Sequence, residues 1–175
     1  MAMRMLEAGG IPIVTDNVRT ADNSNPNGYY EFEAVKSLDR SADRAWLRTA
    51  RGKAIKIISF LLPYLPEDNR YQVIFMHRDL DEVLASQNKM LAARGEPSST
   101  PDAELRTAYQ THLERVHRLL EARRCFEVLH VNYVDVLHDP RREAERLARF
   151  LNRLLDVDRM ASVTNQDLYR NRRSS

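Results

Sequence analysis

The stretch at residues 71–89, YQVIFMHRDLDEVLASQNK, decides the fold that the sequence predicts. It opens with the apolar run VIFM, and a short run that is apolar on both faces is typical of a buried strand in a parallel sheet. Asp79, followed three residues later by Glu82, forms a D-x-x-E capping pattern that begins a helix. Apolar residues then recur at helical spacing, at Leu80, Val83, Leu84 and Leu91. The stretch therefore predicts a strand, a tight turn and a helix.

Two side chains near the predicted turn suit an anionic ligand. Ligands of open α/β sheets bind at the carboxyl ends of the strands, which is where Arg78 lies. Its guanidinium is a planar fork of donors that matches phosphate. Ser86, two turns into the helix, can add a hydroxyl donor to the same anion. We therefore expect Arg78 and Ser86 to form an anion site, and the simpler alternative is a surface arginine and a helix serine without a ligand.

The Arg-x7-Ser spacing across a strand-to-helix junction resembles the 3′-phosphate-binding motif of the sulfotransferase family. Members of this family transfer a sulfuryl group from 3′-phosphoadenosine 5′-phosphosulfate (PAPS) to a hydroxyl or an amine. The resemblance implies a three-layer α/β fold of the P-loop type, with a parallel sheet flanked by helices. It also implies PAPS as co-substrate, with Arg78 and Ser86 on its 3′-phosphate, and adenosine 3′,5′-bisphosphate as product.

Two later segments strengthen the resemblance. Residues 132–151 resemble the family's Y-E-D-L…P…FL signature, which we interpret as a packing and turn device. The matching residues are Tyr133, Asp135, Leu137, Pro140, Phe150 and Leu151, and Val134 replaces the usual Glu. The basic tail at residues 168–173 is similar to the closing segment of several members. That similarity implies that Arg170 and Arg172 reach the nucleotide phosphates, and a frayed basic tail is the alternative.

The candidate catalytic base is Glu31. Residues 25–31, NPNGYYE, resemble the segment after the second strand of bacterial sulfotransferase-like proteins. Glu31 could accept the proton of an acceptor hydroxyl if burial raised its pKa. Alternatively, it precedes a helix at residues 32–38 and interacts with the helix dipole. Cytosolic members carry a catalytic histidine after the strand predicted at residues 54–58, where this chain has Ser59 and Phe60.

One feature of the family is missing from these 175 residues. Members begin with a strand and a Gly-rich loop, such as P-x-S-G-T, whose N–H groups hold the 5′-phosphosulfate. No such string occurs here. The resemblance therefore implies a single domain at residues 1–175 that is shortened at its N-terminus. It leaves two interpretations open: a sulfotransferase, or a non-catalytic module that binds a 3′-phosphate. A kinase relative is disfavoured because no Walker A string is present.

Composition and charge limit the partners. The longest apolar run, residues 55–62, contains Lys56 and is too short to span a bilayer. A single cysteine, Cys125, fits a reducing compartment and hence the cytoplasm.

His112 and His117 are five residues apart, not the four of a helical metal site, so we expect no metal. The basic runs fit solvated helix faces, so we expect no nucleic acid partner. Sheet edges exposed by a missing strand favour a homo-oligomer.

Periodicity and turn residues predict the remaining elements. We expect helices at residues 1–8, 32–38, 41–51, 103–122, 141–152 and 156–163, and a short helix or turn at 59–65. We expect strands at residues 11–14, 54–58 and 126–132.

Overall fold

The computed structural model describes residues 1–16, 28–93, 95 and 100–164. Its helices are α1 Ala2–Ala8, α2 Glu33–Lys36, α3 Trp46–Thr49, α4 Leu80–Ala93, α5 Asp102–Ala122, α6 Tyr133–His138, α7 Pro140–Leu151 and α8 Val157–Ser162. A 3₁₀ helix spans Ser59–Tyr64, and the strands are β1 Tyr71–His77 and β2 Phe126–Asn132.

The two strands pair in parallel along their whole length, from Tyr71 opposite Phe126 to His77 opposite Asn132. Parallel neighbours need a crossover connection, and the chain between them contains α4 and α5. The predicted α/β class and the parallel pairing are therefore confirmed. The bounds of β2 are those that the sequence predicts.

Apolar side chains pack on both faces of this strand pair because successive strand residues point to opposite sides. One cluster contains Phe75 and Phe126 with residues of α5, namely Val116 and Leu120. The other contains Val131 with residues of α1, α6, α7 and α8. These are Met5, Val136, Ala144, Leu147 and Met160. Helices thus cover both faces, and the strand-to-helix turn after β1 lies at the edge of this core.

The strands predicted at residues 11–14 and 54–58 were wrong in extent. The two segments meet in one isolated parallel bridge between Ile13 and Ala54. Its hydrogen bonds run from Val14 N to Ala54 O at 2.8 Å and from Ala54 N to Pro12 O at 2.9 Å. Within the described residues the named sheet contains β1 and β2 alone. Without a further neighbour to extend the ladder, the apolar residues here do not continue as strands.

The helix predicted at residues 41–51 was also too long, because α3 begins only at Trp46. The hydroxyl of Ser41 accepts from Asp43 N at 3.1 Å. The carboxylate of Asp43 accepts from Ala45 N at 2.8 Å. Such local side-chain bonds offer the backbone an alternative to the helical ladder. Trp46 packs edge-on against Phe32 at the margin of the core.

The other predicted helices agree with the structure within a residue or two at their ends. Asp139 caps α7 by accepting from Arg142 N at 3.0 Å, and Asp156 caps α8 by accepting from Arg159 N at 2.9 Å. Cys125 is buried just before β2. Among the described residues, no helix combines the length and the apolarity that a membrane crossing requires.

Candidate functional site

The turn between β1 and α4 holds Arg78 at the carboxyl end of the strand. Asp79 caps α4, since its Oδ1 accepts from Asp81 N at 2.9 Å and from Glu82 N at 3.3 Å. The predicted cap is confirmed. Only Arg78 and Asp79 lie between the end of β1 and the start of α4, so Arg78 is attached to a rigid element on each side.

The guanidinium of Arg78 has two positioning contacts. Its Nε lies 3.4 Å from Oε2 of Glu82, whose side chain is only 5% exposed. Its Cζ lies 5.0 Å from the centroid of the Tyr133 ring, at a distance typical of cation–π contacts. The sequence assigned Tyr133 to packing, and the structure adds this contact with the candidate site. Nothing in the spacing of Tyr133 could indicate it, because the two residues lie on different elements.

Arg78 and Ser86 both line a cavity of about 1350 Å³. The cavity runs along β1 and along residues 54–57. Ligand pockets commonly measure about 300–1,000 Å³, so this one has room for a nucleotide together with a second molecule.

The cavity lining is strongly positive. A single carboxylate, Asp68, is among the described lining residues, against seven basic side chains. These are Arg4, Arg51, Lys53, Lys56, Arg70, Arg78 and Arg153. A concave surface lined by one sign of charge concentrates ligands of the opposite sign. The geometry therefore suits a polyanionic ligand of nucleotide size.

His112, which the sequence analysis considered only as a metal ligand, faces the same cavity. Nε2 of His112, on α5, lies 2.8 Å from Oγ of Ser59, and its ring stacks on Phe60 with centroids 3.6 Å apart. Burial, together with the positive charge of Arg115, lowers the pKa of His112 below its ordinary value. Its imidazole is therefore neutral at pH 7 and able to accept a proton. Ser59 and His112 are 53 residues apart, so no local motif connects them.

The model of the sulfotransferase family matches residues 28–156. The chain belongs to the sulfotransferase family. The match covers more than half of the chain and includes the β1–α4 turn, Ser86 and the Ser59–His112 pair. The family suggested by the Arg-x7-Ser spacing is thus confirmed. No curated protein and no solved structure matched the chain.

In this sulfotransferase-family chain the described cavity lining includes Gly28, Tyr29 and Tyr30, the residues just before Glu31, but not Glu31 itself. Its carboxylate is 3.2 Å from Nζ of Lys36 and its side chain is 20% exposed. Its backbone oxygen accepts from the hydroxyl of Thr15 at 3.0 Å. The acid also comes just before α2, as the alternative interpretation expected.

Tyr30, next to Glu31, has an unusual backbone conformation. It has φ of 52°, an uncommon value for a residue other than glycine. Its hydroxyl donates to Oε2 of Glu7 on α1 at 2.6 Å. Burial, and then this hydrogen bond to a carboxylate, raise the pKa of Tyr30 to about 12. The phenol therefore stays protonated at physiological pH and ties the segment to α1.

The two tail arginines, Arg170 and Arg172, lie outside the described residues. Their predicted contact with the nucleotide phosphates stays a prediction.

Proposed function

We propose that this sulfotransferase-family chain transfers a sulfuryl group from PAPS to a hydroxyl or amine acceptor, leaving adenosine 3′,5′-bisphosphate. The observation that carries the proposal is that Arg78 and Ser86 both line a basic cavity at the carboxyl end of β1. A nucleotide with a 3′-phosphate and a 5′-phosphosulfate carries the charge that such a cavity attracts. The single cysteine, Cys125, is compatible with a cytoplasmic location.

The 3′-phosphate would contact Arg78 and Ser86. The Arg78 fork offers several donors in one plane, which bind phosphate better than a point charge does. Glu82 and Tyr133 hold the guanidinium, so less side-chain freedom is lost when the nucleotide binds. Arg170 and Arg172 of the tail would add charge near the phosphates.

Sulfuryl transfer also needs a group that takes the proton of the acceptor. Glu31 is our candidate from the sequence, and its position beside the cavity lining supports it. His112 is a second candidate, because it lines the cavity as a neutral imidazole hydrogen-bonded to Ser59. Either group would act as a general base while the S–O bond to the acceptor forms.

A non-catalytic module that binds a 3′-phosphate is the second candidate function. It would use the same Arg78 and Ser86 contacts without a bound acceptor. The two functions differ in one observable, which is the release of adenosine 3′,5′-bisphosphate from PAPS in the presence of phenol, alcohol and amine acceptors.

Calorimetry with adenosine 3′,5′-bisphosphate tests the nucleotide site. Hydrogen bonds to charged groups contribute about 1.5–3 kcal/mol. Arg78→Ala should therefore weaken binding roughly 10- to 150-fold, and Ser86→Ala should weaken it less. Arg118→Ala is the matched control, because Arg118 is an exposed arginine on α5 that donates to Glu114 O. Equal affinity of Arg78→Ala and the parent protein would refute the assignment.

A further inference from the structure

Three histidines from three separate elements meet on one face of the strand pair. His77 ends β1, His130 lies in β2 and His117 lies on α5. One ligand nitrogen from each of the three lies within 4.8 Å of the others. Nε2 of His77 is 2.8 Å from Nδ1 of His130. The ring centroid of His117 lies 5.6 Å from that of His77 and 5.5 Å from that of His130.

His117 provides a second, independent observation. Its Nε2 is buried, and it has no hydrogen-bond partner in the part of the chain that the structure describes. Buried polar nitrogens are nearly always paired, and an exception calls for an explanation such as an ion. Because the other two histidines face each other, His117 is the member of the cluster that lacks a partner.

The cluster has the dimensions of a transition-metal site. Zinc–imidazole bonds of about 2.0–2.1 Å place the nitrogens of a tetrahedral site roughly 3.4 Å apart. The separations here, from 2.8 Å to at most 4.8 Å, bracket that spacing. Imidazole suits zinc, copper, nickel and iron, and three protein ligands leave a fourth position for water.

The charges around the cluster are compatible with a cation. Arg146 donates to the backbone oxygen of His130 at 3.2 Å, and Glu143 balances its charge at 2.5 Å.

We propose that His77, His117 and His130 bind one divalent transition metal ion, with Zn²⁺ as the best fit. The ion would link α5 to both strands, and it would satisfy the buried nitrogen of His117. His112 and Ser59 are not part of the cluster, although His77 also lines the cavity that they line. The expectation of no metal compared the histidines of α5 alone, and it could not address a cluster that is assembled from three elements.

Zn²⁺ titration of the chelator-treated, 175-residue chain tests the proposal. We expect calorimetry to show one equivalent bound and the melting temperature to rise as Zn²⁺ is added, since a ligand that binds the folded state stabilises it. With Co²⁺ as the probe, we expect the visible absorption of a tetrahedral site. His117→Ala and His130→Ala should each weaken Zn²⁺ binding roughly 100-fold.

His112→Ala and His138→Ala are the matched controls, because each removes a histidine outside the cluster. Both should bind Zn²⁺ as the parent protein does. His130 is exposed, so His130→Ala keeps the test valid if His117→Ala fails to fold. The proposal is overturned if the parent protein binds no Zn²⁺ at micromolar concentrations. It is also overturned if His130→Ala binds Zn²⁺ as tightly as the parent does.

Discussion

At the scale of single residues, the open question is which group receives the acceptor's proton. Glu31 lies beside the cavity lining and is paired with Lys36. His112 lies in the lining, hydrogen-bonded to Ser59. A general base must be unprotonated to act. His112 meets this condition near neutral pH because its pKa is lowered by burial and by the charge of Arg115.

We expect Glu31→Gln to reduce PAPS-dependent turnover roughly 100-fold while the melting temperature stays nearly unchanged. His112→Gln is the comparison, because glutamine can keep a hydrogen bond to Ser59. If His112→Gln loses turnover and Glu31→Gln keeps it, the base is His112.

The pH profile of turnover tests whether His112 acts as a base with a lowered pKa. A base with a lowered pKa acts above that pKa and fails below it. Turnover that depends on His112 should therefore persist down to pH 6.5 and fall only as the pH drops through a lower value.

At the scale of elements, α7 carries two arginines in contrasting ion pairs. Arg146 pairs with Glu143, whose side chain is 2% exposed, at 2.5 Å. Arg141 pairs with Glu145 and Asp158, both of which are well exposed. Removing the partner of a buried charge is costly, whereas exposed pairs contribute little.

Arg146→Ala should lower the free energy of unfolding by about 3 kcal/mol, near the low end for a buried pair because Arg146 itself is 31% exposed. Arg141→Ala should lower it by less than about 1 kcal/mol. Urea unfolding of the two variants measures the difference. Similar losses would show that water screens Glu143 despite its burial.

The elements also show what the sequence could predict. β2 was predicted at its observed bounds, Phe126–Asn132. Arg78 and Ser86 line one cavity, and the sequence could place them near each other because one strand, one turn and one helix contain both; their binding of an anion stays a prediction. By contrast, α3 was overextended because Ser41 and Asp43 bond their own backbone. The three clustered histidines come from separate elements, so no local spacing could indicate them.

At the scale of the whole molecule, the two ends of the described chain pack against each other. Gly9, just after α1, has its carbonyl 3.3 Å from Asp156 N. A Cβ at Gly9 would lie 2.7 Å from Cγ and Sδ of Met160, which is fully buried on α8. The absence of a side chain at Gly9 is therefore what lets α8 approach α1.

Gly9→Ala should lower the free energy of unfolding by about 1–3 kcal/mol, because overpacking a core forces neighbours to shift. In a Met160→Ala background the same change should cost much less, since the clashing atoms are gone. A double-mutant cycle by urea unfolding measures this coupling. Additive losses would mean that Met160 moves aside freely.

β1 has two different edges, and amide hydrogen exchange should distinguish them. Tyr71 N donates to Cys125 O at 2.8 Å, so by alternation the amides of Val73, Phe75 and His77 point towards β2. The amides of Gln72, Ile74 and Met76 then point towards the cavity that β1 lines. Within one strand, slowly and rapidly exchanging protons would therefore alternate. A molecule bound along this edge would slow hydrogen exchange at the amides of Gln72, Ile74 and Met76 alone. Exchange along β1 would therefore report whether the cavity is occupied.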